Sequence, residues 1–424
     1  MRRGPWRWIG TLYFAEGLSA TIVATVAGVL FKRLGLSNEA IALYVGGLVL
    51  PWSLKPLWSP LLEVFKTRRF FVVTTELLIA AALAGIALGL GSASRATVCV
   101  VLLAFVAVCA ATHDIAADGV FICSLSPESQ ARYLGWLSVV FHSGRLTAQG
   151  LLLALAGTFE ARIGIVGAWR AVFAVFAGLS AALALYHAWA LPGGEPERSP
   201  TSLADVAATT RDVVTSFFRR SNIAGLLAFV VLYRVAEGQL QRMAPLFLIE
   251  RETQGGLGLS TSQLGIFYGG LGASACMAGA LLGGWISVRV GVRAALVGLC
   301  AAFNFPALVY VLLAWWRPRS VAVVGAAIVF EQLVYGVGII GLKLVIMQSV
   351  AQGRYQTAHF AFASSLSGLG AAAAGMFSGW LQASLGYRGF FVWTLIAAIP
   401  VLFVAYLSSR PAPEREESPC LSAA

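Results

Sequence analysis

The chain has 424 residues, of which 58% are hydrophobic and only 12% charged, with a formal net charge of +11. A soluble domain carries about 25% charged residues, so this composition, with a mean hydropathy of +0.81, describes an integral membrane protein. The basic surplus lies in short loops between apolar runs, where it sets membrane orientation; it does not describe a nucleic-acid surface.

Apolar runs long enough to span a bilayer as helices, about 20 residues each, predict twelve spans. Six fall near 8–31, 40–57, 71–90, 98–124, 133–156 and 168–191. Six more fall near 223–249, 263–285, 292–315, 321–347, 358–385 and 390–407. The runs are continuous, not alternating, which excludes a closed barrel. Residues Met1 to Trp8 read as a basic, aromatic lead-in to a span too long to be a cleavable signal core.

Between the two sets of six lies the longest polar interval, Pro192-Gly193-Gly194-Glu195-Pro196-Glu197-Arg198-Ser199-Pro200. After it, Leu203, Val206, Val213 and Phe217 predict a short amphipathic helix lying on the membrane. The expected organisation is a six-helix bundle over 1–191, a linker over 192–222, a second six-helix bundle over 223–409 and a disordered tail over 410–424. Basic residues concentrate in one set of loops, with Arg2, Arg3, Lys66, Arg132, Arg198, Arg220 and Arg354 among them. By the positive-inside rule this puts both termini and the linker in the cytoplasm. The halves also echo each other: CSLSPESQARY (123–133) follows the fourth span and IMQSVAQGRY (346–355) the tenth. Two six-helix bundles in parallel repeat form the major facilitator plan, with the solute site at mid-membrane between them.

The chemistry is sought among ionisable residues inside spans, because a charge at mid-bilayer costs about 2.5–3.5 kcal/mol on insertion scales. Asp114 and Asp118 are four apart and share a helix face, with His113 about 100° around. Apolar packing does not explain this group; an ion or solute pathway does, and so does pairing with a basic residue on a neighbouring helix. Glu16 joins them as a proton-carrier candidate, since burial favours the neutral form of a carboxyl. Glu76, near the start of its span, is read as structural and within reach of the headgroups. His142, Arg145 and Gln149 share one face of the fifth span. The Arg145 fork suits a carboxylate, phosphate or sugar, or else holds Asp114 or Asp118. Arg234 and Glu237 are three apart and either pair with each other or serve the solute. Lys55, Arg242 and Lys343 are also placed within spans, and Glu331 with Gln332 in the tenth span reads as a solute ligand. Trp6, Trp8, Trp58, Trp315, Trp316 and Trp393 lie near span ends and read as interface anchors. No C-x-x-C pair, phosphate-binding loop, serine–histidine constellation or metal set occurs, so neither an enzyme nor a cofactor or metal site is expected.

Several stretches carry a family resemblance: Leu50-Pro51-Trp52-Ser53-Leu54-Lys55-Pro56, His113-Asp114-Ile115-Ala116-Ala117-Asp118-Gly119, Tyr233-Arg234-Val235-Ala236-Glu237-Gly238-Gln239, Gly256-Leu257-Gly258-Leu259-Ser260-Thr261 and Thr357-Ala358-His359-Phe360-Ala361-Phe362. Together they resemble AmpG-type permeases of the major facilitator superfamily, a group that includes a muropeptide importer and has siderophore and acetyl-CoA transporters as relatives. The superfamily's loop pattern G-x-x-x-D-R-x-G-R-R is degraded here. Glu63 stands for the acid beside Arg68 and Arg69, and Lys66 replaces a glycine. The second copy keeps Gly284, Arg289, Gly291 and Arg293 but has Val288 at the acidic position.

The resemblance implies an all-α, twelve-helix secondary transporter of the bacterial inner membrane. The expected activity is proton-coupled import of an anionic, muropeptide-like solute. A siderophore or acyl-CoA-type permease is the alternative, and a non-transporting membrane sensor the second. Expected proton-coupling residues are Glu16, Asp114 and Asp118. Expected solute ligands are Lys55, His113, Arg145, Gln149, Arg234, Glu237, Gln239, Glu331 and Gln332. The partners are a small-molecule solute, protons and the lipid bilayer, with the protein a monomer.

Overall fold

The computed structural model describes residues 4–59, 62, 67–192, 203–219, 223–346 and 356–409. All secondary elements among the described residues are helical. Among the described residues ten helical stretches are long and apolar enough to cross a membrane. Two of them, Val139–Ala190 and His359–Leu407, run to 52 and 49 residues, about twice what a bilayer requires. Each turns at one glycine in the left-handed region, Gly164 (φ 72°) and Gly386 (φ 65°), where a Cβ would be strained. Each stretch therefore contains two of the expected spans. We number the spans α1 (Pro5–Arg33), α2 (Asn38–Leu57), α3 (Arg68–Gly89), α4 (Arg95–Ser124), α5 (127–163), α6 (165–190), α7 (Ile223–Ile249), α8 (Thr261–Val290), α9 (Ala294–Trp316), α10 (Val321–Val345), α11 (356–385) and α12 (387–409).

Short polar signals start the spans. The Ser37, Thr67 and Ser126 hydroxyls accept from backbone N–H groups in the first turns of α2, α3 and α5. Pro127 fills a first-turn position of α5, where its missing N–H is harmless. Ser260 and Gln263 cap α8 reciprocally.

The packing repeats with an offset of six spans. α1 lies on α5 as α7 lies on α11; α3 lies on α4 and α6 as α9 lies on α10 and α12. The halves meet through α2 with α11 and α5 with α8. At the second junction two π-helical segments, Leu146–Leu152 and Gly265–Gly272, face each other. There Gly269 is needed for close approach, because a Cβ would stand on the Gln149 backbone carbonyl.

One apolar core runs through both halves at one end of the molecule, from Phe31, Val45 and Phe173 to Phe247, Tyr310 and Phe391. Toward the other end the core divides. One part, with Trp8, Tyr13 and Phe121, belongs to the first half; the other, with Phe229, Tyr233 and Phe303, belongs to the second. The molecule is joined at one end and cleft at the other.

Two expectations are corrected here. Trp8 is 1% exposed and part of the first-half core, so it anchors packing and not an interface, whereas Trp6, Trp315 and Trp316 are exposed. The linker helix forms as Leu203–Phe218. Its Phe217, however, is buried against Phe362 and His359 of α11 instead of resting on lipid. The 410–424 tail and part of the linker lie outside the described residues.

Candidate functional site

On the first-half side of the cleft, α1, α2 and α4 converge. Lys55 ion-pairs with Asp114. The Tyr13 hydroxyl donates to Asp118 Oδ1 at 2.9 Å. Glu16 is in contact with Asp114, and its Oε2 is buried with no hydrogen-bond partner. Three carboxyl groups thus face a single lysine. Fully ionised, they would leave two uncompensated negative charges in low dielectric. The partner of Asp114 is Lys55, and Arg145 takes no part; that alternative for Arg145 is excluded.

His113 points away from this cluster. Its Nε2 lies 3.0 Å from Glu76 Oε1, and His187 Nδ1 lies 2.8 Å from the same oxygen. Thr11 Oγ1 is 2.9 Å from His187 Nε2. Glu76, His113 and His187 are all buried, in keeping with the structural reading of Glu76 but away from the headgroups: two imidazoles on α4 and α6 hold it inside the bundle. The pairing was invisible in the sequence because its members are 37 and 111 residues apart.

Away from this cluster the balance of charge reverses, at Arg145 on α5 of the first half and at Arg242 and Lys343 on α7 and α10 of the second. Arg234 binds Glu237 through Nε and Nη2 at 3.1 and 3.3 Å, and Tyr335 donates to Glu237 at 2.9 Å. The i, i+3 spacing had offered this pairing. Arg145 makes no ion pair among the described residues and stands within electrostatic reach of Tyr268, Cys276 and Lys343. Lys343 is exposed, likewise makes no ion pair among the described residues, and stands within electrostatic reach of Arg145 and Arg234. Among the described residues Arg242 donates to the Ala24 carbonyl at 3.3 Å, stands within electrostatic reach of Glu237, and its buried Nε has no hydrogen-bond partner. Arg242 and Lys343 were not singled out as ligands from the sequence; the missing signal is the absence of a partner, which only tertiary structure reveals.

The remaining expected ligands are held in place by neighbours. Gln239 accepts from Trp393 Nε1 at 3.0 Å. Gln149 is buried where α5 meets α8. Glu331 Oε1 accepts from Tyr310 and from Gln332, each at 3.0 Å.

The joined end is latched by polar side chains that the sequence did not suggest. Lys32 ion-pairs with Glu250 and donates to Asn38 at 2.9 Å. Asn38 donates to Gln382 at 2.7 Å and Tyr387 at 2.8 Å. Beside it, Glu160 takes a bidentate arginine, Arg33, together with Trp169, and reaches the second half through the Thr261 hydroxyl at 2.9 Å. A cavity of about 640 Å³ opens over this latch, lined by Lys32, Asn38, Glu250, Arg251 and Tyr387.

Of the loop residues, Arg69 donates to the Ala188 carbonyl and Arg68 lies over Gly119 of α4. Arg289 stacks on Trp285 with its guanidinium carbon 4.9 Å from the ring centroid. Glu63 lies outside the described residues, as does the Arg293 side chain.

A family model described as Major Facilitator Superfamily matches residues 9–366. The anhydromuropeptide permease of Escherichia coli is 26% identical over 409 residues, covering 93% of this chain and 77% of that protein. An AmpG-type transporter of Rickettsia conorii is 24% identical over 417 residues, covering 94% and 95%. Among solved structures, a bacterial homologue of the human lysosomal transporter Spinster, inward-facing and unoccupied, superposes with a TM-score of 0.72 at 17% identity, covering 97% and 99% of the two chains. A D-xylose–proton symporter gives 0.69 at 14% identity, covering 96% and 98%.

Proposed function

The chain belongs to the Major Facilitator Superfamily, a multi-pass secondary transporter by fold and relatives, and we propose that it imports an anionic, muropeptide-like solute coupled to protons. The observation that carries this is a set of cations without ion pairs among the described residues, beside a separate cluster of carboxyls that share one lysine. Arg145, Arg242 and Lys343 make no ion pair among the described residues, while Glu16, Asp114 and Asp118 share Lys55. Bare cations in a low-dielectric cleft are costly unless an anion joins them. Surplus carboxyls are costly unless protonated. A cycle that brings solute to the cations and protons to the carboxyls relieves both.

With both termini cytoplasmic, the latched end is periplasmic and the cleft opens inward, ready to release solute. One proton crossing about 100 mV supplies roughly 2.3 kcal/mol, enough for nearly fiftyfold accumulation.

The test is uptake into liposomes containing purified protein under an imposed proton gradient. Labelled anhydromuropeptide is the solute, with ferric siderophore and acetyl-CoA as competitors. Gradient-dependent uptake blocked only by excess muropeptide is the expected result. Uptake blocked by a competitor instead reassigns the substrate, and no flux of any of the three favours the sensor reading.

A further inference from the structure

Glu331 lies in α10, on the second half, away from the acids of α1 and α4, and is 1% exposed. Both of its donors, Tyr310 from α9 and the neighbouring Gln332, fall on Oε1. Oε2 is buried and has no partner. The groups facing it from the elements packed on α10 are neutral: Tyr310 on α9, and Tyr268 and Cys276 on α8. Arg145 is within electrostatic reach of Tyr268 and Cys276, and Lys343 of Cys276; neither makes an ion pair with Glu331 among the described residues. An ionised carboxylate would carry a full charge in mid-membrane against two neutral donors, with half of its acceptor capacity unmet. As a carboxylic acid, Glu331 fits without conflict: Oε1 is the carbonyl that accepts both bonds, and Oε2 carries the hydrogen.

We propose that Glu331 is a second proton-binding site of the transport cycle, loaded in this state and emptied in another. The inference rests on the proton-coupled reading above. The step is simple: the Oε2–H bond breaks, the proton passes to water in the cleft, and the carboxylate left behind attracts Arg145 and Lys343. That carboxylate competes with an anionic solute for the same two cations. Proton loss at Glu331 and solute release are thereby the same event seen from two sides.

The experiment is infrared difference spectroscopy of the full-length protein in lipid, titrated from acid to alkaline pH without solute. One component of the carboxylic-acid carbonyl bands that disappear on alkalinisation should be present in the wild type and in Asp118→Asn and missing from Glu331→Gln, where the components of Glu16, Asp114 and Asp118 remain. Tyr310→Phe, which removes one donor but keeps the carboxyl, should retain the Glu331 component and move its midpoint. A Glu331→Gln spectrum that loses no titrating component of the wild type, or a Glu331 component unchanged at every pH, overturns the proposal. In liposomes, protons entering per anhydromuropeptide should fall by one in Glu331→Gln while counterflow persists. If the wild type moves no protons with that solute, the transport reading fails, and the solute-free spectra still decide whether Glu331 titrates.

Discussion

Lys32 at the end of α1 and Glu250 at the end of α7 form an ion pair across 218 residues of chain, and it ties the two halves where their core is shared. Asn38 and Tyr387 both reach this pair, so neither charge is left to water alone. Opening the latched end requires breaking it.

A hydrogen bond to a charged group is worth about 1.5–3 kcal/mol. Lys32→Ala should therefore shift the balance of states toward opening at this end by about tenfold or more. Spin-label distances between the ends of α2 and α11 report the shift. The charge exchange Lys32→Glu with Glu250→Lys should restore most of what either change alone removes. Three variants with the wild-type distance distribution would show that the latch is incidental.

Asp114 and Asp118 are chemically alike but differently held, so their amide variants should differ. Asp118→Asn removes a proton site and keeps an acceptor for the Tyr13 hydroxyl. Proton-driven accumulation should be lost while counterflow survives. Asp114→Asn strands Lys55, which costs toward the lower end of about 3–5 kcal/mol because the lysine side chain is 28% exposed. Melting temperature and abundance should fall for that variant. Equal behaviour of the two in both assays contradicts the assignment.

Removing an unpaired cation should act in the opposite sense on stability. Arg145→Met and Lys343→Met strand no carboxylate among the described residues, so the melting temperature should hold or rise. Solute KM should rise tenfold or more, in keeping with about 1.5–3 kcal/mol for a charged hydrogen bond. A fall in stability at unchanged KM would mean these residues are scaffold.

Gly269→Ala places a methyl group against the Gln149 backbone where α5 and α8 touch. Overpacking of this kind costs about 1–3 kcal/mol. Transport should slow and the melting temperature drop, whereas Gly298→Ala, at a position with open space around it, should be silent. The pair is a matched control for small-residue packing between the halves.

Orientation is tested at Cys420 in the tail, beyond the described residues. An impermeant thiol reagent should label it in inverted vesicles and not in intact cells. Labelling from outside would place the cleft, and not the latch, on the periplasmic face.

The spans were legible because an apolar run of about 20 residues has few fates other than crossing a bilayer. The glycine turns were not, since Gly164 and Gly386 look like any of the 45 glycines until their backbone angles are known. Local pairs such as Arg234 with Glu237 followed from helical spacing. Distant ones did not: Lys55 with Asp114, Glu76 with two histidines, and Lys32 with Glu250 each depend on which helices become neighbours. The basic residues without acidic partners were least legible of all. A sequence shows which charges exist, but only the folded chain shows which of them remain uncompensated.

The shared core has a thermal consequence. Passing to the opposite state must part apolar side chains where α1 and α2 meet α7, and wet them. Hydrating apolar surface raises heat capacity, so the equilibrium between the two states should give a curved van't Hoff plot. Hydrophobic association also weakens on cooling, which should enrich the form open at the latched end in chilled membranes. Temperature, with no solute and no gradient, thereby becomes a handle on the resting distribution of this protein.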